Sequence, residues 1–200
     1  MFNTDISKED LTELLKPGYA SVETGYRTLP NGDVFVKALI RMSYCRGNMV
    51  DWWFGYIQDT PTYKIWHPSH QYFKWDEKWQ PGHYIGASHW TKEYLGKQLV
   101  TMRIQFNDPS EIYDIAEFPK ANISCMVYAR IFDEEGKPFG HFLHALRDTD
   151  FGCEMRNRFW IYQASEAIGK GLLTHSLEEM GNLAEFLPGL HSRFNGMTNI

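Results

Sequence analysis

Cysteine is scarce in this 200-residue chain, and Cys45, Cys125 and Cys153 are odd in number, far apart and free of any Cys-x-x-Cys pattern. A disulfide framework is therefore not expected, and buried thiols in a reduced, cytoplasmic protein are favoured over thiolate metal ligands. No apolar run approaches the about 18 residues that a membrane helix needs. Met1-Phe2-Asn3-Thr4-Asp5 has neither the basic start nor the apolar stretch of a signal peptide. No basic cluster offsets a net charge of −5 and a pI near 5.9, which argues against nucleic acid as a partner. Internal repeats and low-complexity segments are also missing. Aromatic residues, by contrast, abound: seven Trp, eleven Tyr and thirteen Phe. They suit an aromatic-walled cavity and an aromatic-rich core equally well. With 43% hydrophobic residues the chain can bury one substantial core. Residues 1–200 are read as a single domain, with an N-terminal arm and its short helix over about 1–30.

Local patterns give the architecture. Ser7-Lys8-Glu9-Asp10 resembles a capping box opening a helix through Leu14 and Leu15, stopped at Pro17-Gly18. Asn31-Gly32 signals a tight turn before Val34-Phe35-Val36, and Asn48 is placed to cap a helix bearing Met49, Val50, Trp52, Trp53 and Ile57. Alternation then predicts strands over 97–107, 121–133, 139–147 and about 154–163. In the second of these, Ile123, Cys125, Val127, Ala129 and Ile131 share a face. A final helix is expected from about Ser165 to Leu187, ended by Pro188-Gly189. Strands joined by short turns read as an antiparallel sheet, and a long helix with one apolar face can cover it. The expected class is α+β, with an internal cavity between sheet and helix as a natural ligand site.

Within that final helix, His175 and Glu179 lie about 40° apart on one face at 3.6 residues per turn. Ile168, Leu172, Leu183 and Phe186 share that face, whereas Glu178 falls on the polar flank. A carboxylate turned toward a core needs compensation, by a metal ion or by an Arg partner beside a neutral His, and the spacing alone leaves both open. Upstream, Tyr63-Lys64-Ile65-Trp66-His67-Pro68-Ser69-His70 holds two His among aromatics, either a metal or acid–base site or surface His packed on Trp. Lys92-Glu93-Tyr94 places one Glu before a strand, where a solvated carboxylate is the ordinary outcome. In His141-Phe142-Leu143-His144, alternation aligns His144 with Phe142 and Leu146. His144 is thus the better cavity candidate, although a satisfied core His fits the pattern too.

Taken in order, these blocks resemble a family. Tyr63 through His70, Glu93-Tyr94-Leu95-Gly96, His144-Ala145-Leu146-Arg147-Asp148-Thr149, Gly152 through Trp160, and His175 to Glu179 with Asn182-Leu183 and Phe186-Leu187-Pro188 are similar to the diacetylphloroglucinol and phloretin hydrolases. The resemblance covers roughly residues 30–190. It implies a helix-grip (START-like) domain in which two His and two Glu hold one Zn2+. It also implies hydrolysis of the carbon–carbon bond between an acyl group and a phenolic ring. Carried over residue by residue, the zinc ligands are His70, Glu93, His175 and Glu179. Tyr63 matches a tyrosine that contacts a substrate phenol, and His144 matches a His aimed at the acyl carbonyl. Glu93 doubles as ligand and proton carrier.

The chain departs from the family pattern in places. The Trp-His-Pro block is one residue short, so His67 competes with His70 as ligand and otherwise joins Phe73 on the substrate side. Phe73 stands where the family has a polar residue, and no second phenol-binding tyrosine matches near Phe159-Trp160. An extended N-terminal region of the larger members is mostly missing. The implied chemistry is a retro-Claisen cleavage in which His144 hydrogen-bonds the developing oxyanion and Tyr63 holds the ring oxygen. The expected partner is a small aromatic or polyketide substrate, with neither nucleic acid nor membrane involved and a homodimer left open. Two other classes stand beside it: a metal-dependent polyketide cyclase or isomerase, and a non-catalytic carrier of hydrophobic ligands.

Overall fold

Alternating apolar side chains build one antiparallel sheet, and a long amphipathic helix lies across it. The computed structural model describes residues 8–195. Its strands are β1 (Gly25–Thr28), β2 (Val34–Ser43), β3 (His70–Trp75), β4 (Ser88–Leu95), β5 (Gln98–Asn107), β6 (Cys125–Phe132), β7 (Pro138–Thr149) and β8 (Gly152–Ile161). The helices are α1 (Lys8–Leu15), α2 (Gly47–Tyr56), α3 (Thr60–Trp66) and α4 (Glu166–Asn195). Strand order is β1-β2-β8-β7-β6-β5-β4-β3, so β3 to β8 run as a meander. The segment holding α2 and α3 carries the chain from β2 to the far edge. The fold is α+β, as the sequence patterns imply.

Both faces of the sheet are covered. On the inner face, Val36, Ile104, Phe106, Val127, Phe142 and Phe159 pack with Leu172, Met180 and Leu183 of α4. On the outer face, Leu14, Phe35, Tyr128, Leu143 and Trp160 form a second cluster under α1 and residues 112–123. Arg156 and Arg158, both fully buried, tie the N-terminal arm to that face through Glu23, at 2.6 and 2.5 Å. Arg147 adds donors to the carbonyls of Leu14, Lys16 and Gly18.

Several sequence expectations shift by identifiable causes. Asn48 does not cap α2: Arg46 is the N-cap residue, and the Gly47 N–H is taken instead by the Asp148 carboxylate at 2.9 Å. Ile123 faces the outer cluster rather than sharing a face with Cys125, because β6 begins only at Cys125, after a turn in which Asn122 has φ 56°. Pro188 does not end α4, which continues to Asn195. Proline at that point frees the carbonyl four residues back, and the Cys45 thiol donates to it, at Ala184 O, 3.7 Å away. The capping box at Ser7 lies outside the described residues.

Candidate metal centre

The site begins where α3 is forced to start and stop. The Asp59 carboxylate accepts the Thr62 N–H at 2.8 Å, and proline occupies the first turn, two strong helix-start signals. The chain leaves α3 extended at His67 and enters β3 at His70, which pairs with Glu93 of β4. A register irregularity between His70 and Tyr72 lets His70, Phe73 and Trp75 all point inward from β3. On β4, His89, Thr91, Glu93 and Leu95 alternate inward. Helix α4 comes down onto this corner because Gly171 has no side chain: a Cβ there would stand 2.8 Å from the Leu95 carbonyl carbon. One turn later His175 lies over Glu93. The Trp66 indole N–H donates to the Glu179 carbonyl at 3.0 Å, fastening α3 to α4.

Four buried side chains therefore converge. His70 Nε2 is 3.3 Å from both Glu93 Oε2 and Glu179 Oε1. His175 Nε2 is 3.1 Å from Glu93 Oε2 and 3.8 Å from Glu179 Oε2. Around a zinc ion with bonds of about 2.0–2.2 Å, tetrahedral donor atoms are roughly 3.3–3.6 Å apart; the two His70 distances fall in that range and the two His175 distances, 3.1 and 3.8 Å, lie just either side of it. Among the described residues neither Nε2 has a hydrogen-bond partner, although both are buried.

His70 Nδ1 lies 2.9 Å from the Tyr63 carbonyl, which only accepts, so the ring proton is on Nδ1 and the Nε2 lone pair faces the carboxylates. His67 Nδ1 already accepts the Ser69 N–H at 3.2 Å; the Ser69 hydroxyl, 2.6 Å away, donates to the same nitrogen and accepts from His175 Nδ1 at 3.1 Å. His175 Nε2 thus also presents a lone pair to the cluster. Lone pairs facing carboxylates repel unless a proton or a metal lies between them. Burial alone would depress the His70 imidazole, but Glu179 and Glu93 override it and lift it to about 10. Burial would raise the Glu93 carboxyl, yet His175 and His70 hold it well below the usual carboxylate range. The pair of carboxylates is a strong sink for positive charge, and its neighbours are imidazoles rather than arginine.

His67, His70 and His175 form a second grouping, with one ligand atom each inside 4.8 Å. The two sets share His70 and His175. His67, however, has Nδ1 engaged by Ser69 and turns Nε2 toward Glu178, 3.4 Å away and largely exposed.

Residues 6–165 match the family model described as the DAPG hydrolase PhiG domain. The chain belongs to the DAPG hydrolase family. A 2,4-diacetylphloroglucinol hydrolase of Pseudomonas protegens is 23% identical over 226 residues, covering 94% of this chain and 74% of that protein. The phloretin hydrolase of Eubacterium ramulus is 25% identical over 206 residues, covering 87% of this chain and 72% of its own length. Among solved structures, Ara h 8.0201 superposes with a TM-score of 0.50 at 8% identity, covering 78% of this chain and 97% of its own, a likeness of fold alone. The family match stops at residue 165, before α4, so His175 and Glu179 enter the site through the helix and not through the matched segment.

Beside the four-residue cluster lies a cavity walled by Phe106, Phe139, Phe142, Phe159, Leu172 and Met180. It measures about 60 Å³, so seating an aromatic ring requires pliable walls such as Met102 and Met180 to turn. Tyr63, Glu93, His144, His175 and Glu179 all line it, whereas His67 and Phe73 are not among its lining residues. Tyr63 stacks on His70 with ring centres 3.7 Å apart and donates its hydroxyl to Glu93 Oε2 at 3.2 Å. His144 Nδ1 donates to Asn157 Oδ1 at 2.7 Å, and Asn157 in turn donates to Ser176 Oγ at 2.9 Å. His144 Nε2 is therefore an acceptor, and burial lowers its basicity to about 4. Ser69 and Asn157 set these tautomers, and nothing in the local sequence around either residue signals that role. His89, also on the cavity wall, was not singled out; its signal was the alternation His89, Thr91, Glu93 leading into an apolar Leu95.

Proposed function

We propose that this protein is a zinc-dependent hydrolase of the bond between an acyl group and a phenolic ring, or of an equivalent β-diketone. The observation that carries the reading is the convergence of His70, Glu93, His175 and Glu179 within 3.1–3.8 Å of one another's donor atoms, with Glu93, His175 and Glu179 on the wall of an aromatic cavity. Family membership supports the hydrolytic class. Zinc held by those four residues would polarise the acyl oxygen or lower the pKa of bound water.

The chain's own groups would do the rest. Tyr63 keeps its phenolic proton, because burial and the adjacent Glu93 and Glu179 carboxylates push its pKa well up, and can hand a hydrogen bond from Glu93 to a substrate ring oxygen. His144, locked by Asn157 with a free Nε2 lone pair, first accepts a proton from water or a ring hydroxyl. As an imidazolium it can then donate to the developing oxyanion. The apolar walls exclude bulk water. In the balanced reaction one water adds: its oxygen bonds to the acyl carbon, the carbon–carbon bond breaks, and the ring leaves as an enolate of its keto tautomer before taking a proton on carbon.

We assign the protein to the cytoplasm: all three cysteines are free, and among the described residues no helix is long and apolar enough to cross a membrane. Mass spectrometry of acylphenol incubations tests the reaction. Two fragments whose masses sum to substrate plus water are expected. A single isobaric product would replace hydrolysis by cyclisation or isomerisation, and tight binding without turnover would make the protein a carrier.

A further inference from the structure

His89 sits on β4, four positions before Glu93 and on the same inward face. It is buried and lines the cavity, yet among the described residues neither Nδ1 nor Nε2 has a hydrogen-bond partner. Its surroundings are aromatic: ring centres of Phe73, Trp75 and Phe106 stand at 4.6, 4.9 and 5.1 Å. An imidazole retained there for packing alone would lose hydration on both nitrogens and gain nothing that phenylalanine does not give. Buried polar groups that lack protein partners ordinarily meet a ligand or water. Four residues along a strand span roughly 13 Å, so His89 and Glu93 meet the cavity at well-separated points. The Tyr63 ring lies between, 3.7 Å from His70 and 6.4 Å from His89.

Resting on the acylphenol reading above, we propose that His89 is a specificity-determining residue that binds a hydroxyl on the substrate ring remote from the acyl group. Burial depresses its basicity to about 3, so the ring is neutral and offers a nitrogen lone pair to a phenolic O–H, with an N–H left for a carbonyl or a second oxygen. Specificity follows from the mismatch. A ring without that hydroxyl leaves the imidazole unpaired, and a site with an apolar residue at 89 would strand the hydroxyl.

The test compares zinc-loaded protein with 2′,4′-dihydroxyacetophenone and 2′-hydroxyacetophenone, which differ only in the remote ring hydroxyl. Binding is followed by tryptophan fluorescence, with Trp75 close by. The wild type should prefer the dihydroxy ketone by about 10–100-fold. His89→Phe should cut that preference below about threefold, leave the monohydroxy ligand and zinc content nearly unchanged, and melt no lower than the wild type. His89→Leu, smaller and without a ring, should lose the preference equally, so poor packing of one variant does not decide the matter. His89→Gln, which keeps a donor and an acceptor, should retain part of it. A preference that survives in the Phe and Leu variants overturns the inference, as does a wild type that binds both ketones equally. A wild type that binds neither overturns the acylphenol reading and the inference with it.

Discussion

Replacing Glu179 with glutamine should strip the metal, whereas the same change at its neighbour Glu178 should not. The two side chains are chemically identical and adjacent, so only their placement can separate them. Glu179 reaches two imidazoles, with Oε1 3.3 Å from His70 Nε2 and Oε2 3.8 Å from His175 Nε2, and its side chain is 11% exposed. Glu178 pairs with His67, at 3.4 Å, with 59% of its side chain in solvent. Loss of a residue that merely supports a ligand costs about 10–100-fold in metal affinity, and loss of a charged ligand costs more. Glu179→Gln should therefore weaken zinc binding by at least about 100-fold, or about 2.7 kcal/mol. Glu178→Gln should change it by less than about threefold, since an exposed ion pair contributes about 0–1 kcal/mol. Competition with a chromophoric chelator measures both, with circular dichroism confirming the fold. Equal losses in the two variants, or a loss confined to Glu178, would refute the placement of the carboxylates around a shared ion.

Three further outcomes are expected. His70→Ala should empty the site while His67→Ala retains metal, as elemental analysis of the purified variants will tell; metal loss only in the His67 variant would transfer the role to the all-histidine grouping. His144→Ala should reduce turnover by roughly 10²–10³-fold with zinc content intact, the range for one proton-transfer or oxyanion group; steady-state kinetics beside elemental analysis reads both quantities. For acid stability, burial raises the Glu23 carboxyl, but Arg156, the Ala20 N–H and Arg158 outweigh it and hold it at about 2. Its folded pKa lies below the unfolded value of 4.5, so its contribution, up to about 3 kcal/mol, is present above pH 4.5 and is lost as pH falls toward 2. Glu23→Gln should flatten that part of the melting-temperature profile, and an unchanged acid slope would count against the pairing.

Much of this was legible in the chain because period 2 and period 3.6 survive where one face is buried. The strands β5 to β8 and helix α4 announce themselves by alternation and by the spacing of Ile168, Leu172 and Leu183. Strands β3 and β4 do not. The irregularity at His70 and Tyr72 breaks the period in β3, and the inward positions of β4 are polar residues that a hydrophobic pattern passes over. Helix α3 is hard to read from sequence although Asp59 and Pro61 mark its start, because seven residues hold too few turns to show a face. Composition also gave no sign that the outer face would be held by arginines, since Arg156 and Arg158 alternate with apolar neighbours in the same strand. The four converging side chains share no local motif. Only the pairing of β3 with β4 and the close approach at Gly171 bring them together.

That approach also has a consequence for the life of the chain. Ser69 and His175, joined across the site, are 106 residues apart in sequence, and the protein has three free thiols in place of any cross-link. Pinning a loop of about this length removes unfolded-state freedom worth about 4–5 kcal/mol in the chain-entropy model, as much as a long-range disulfide. An ion clasped between α4 and the β3–β4 corner would act as a reversible staple, closed only after the C-terminal helix has been made. Starving a cell of zinc would then loosen α4 and invite proteolysis, so that metal supply would govern how long each molecule survives as well as whether it turns over.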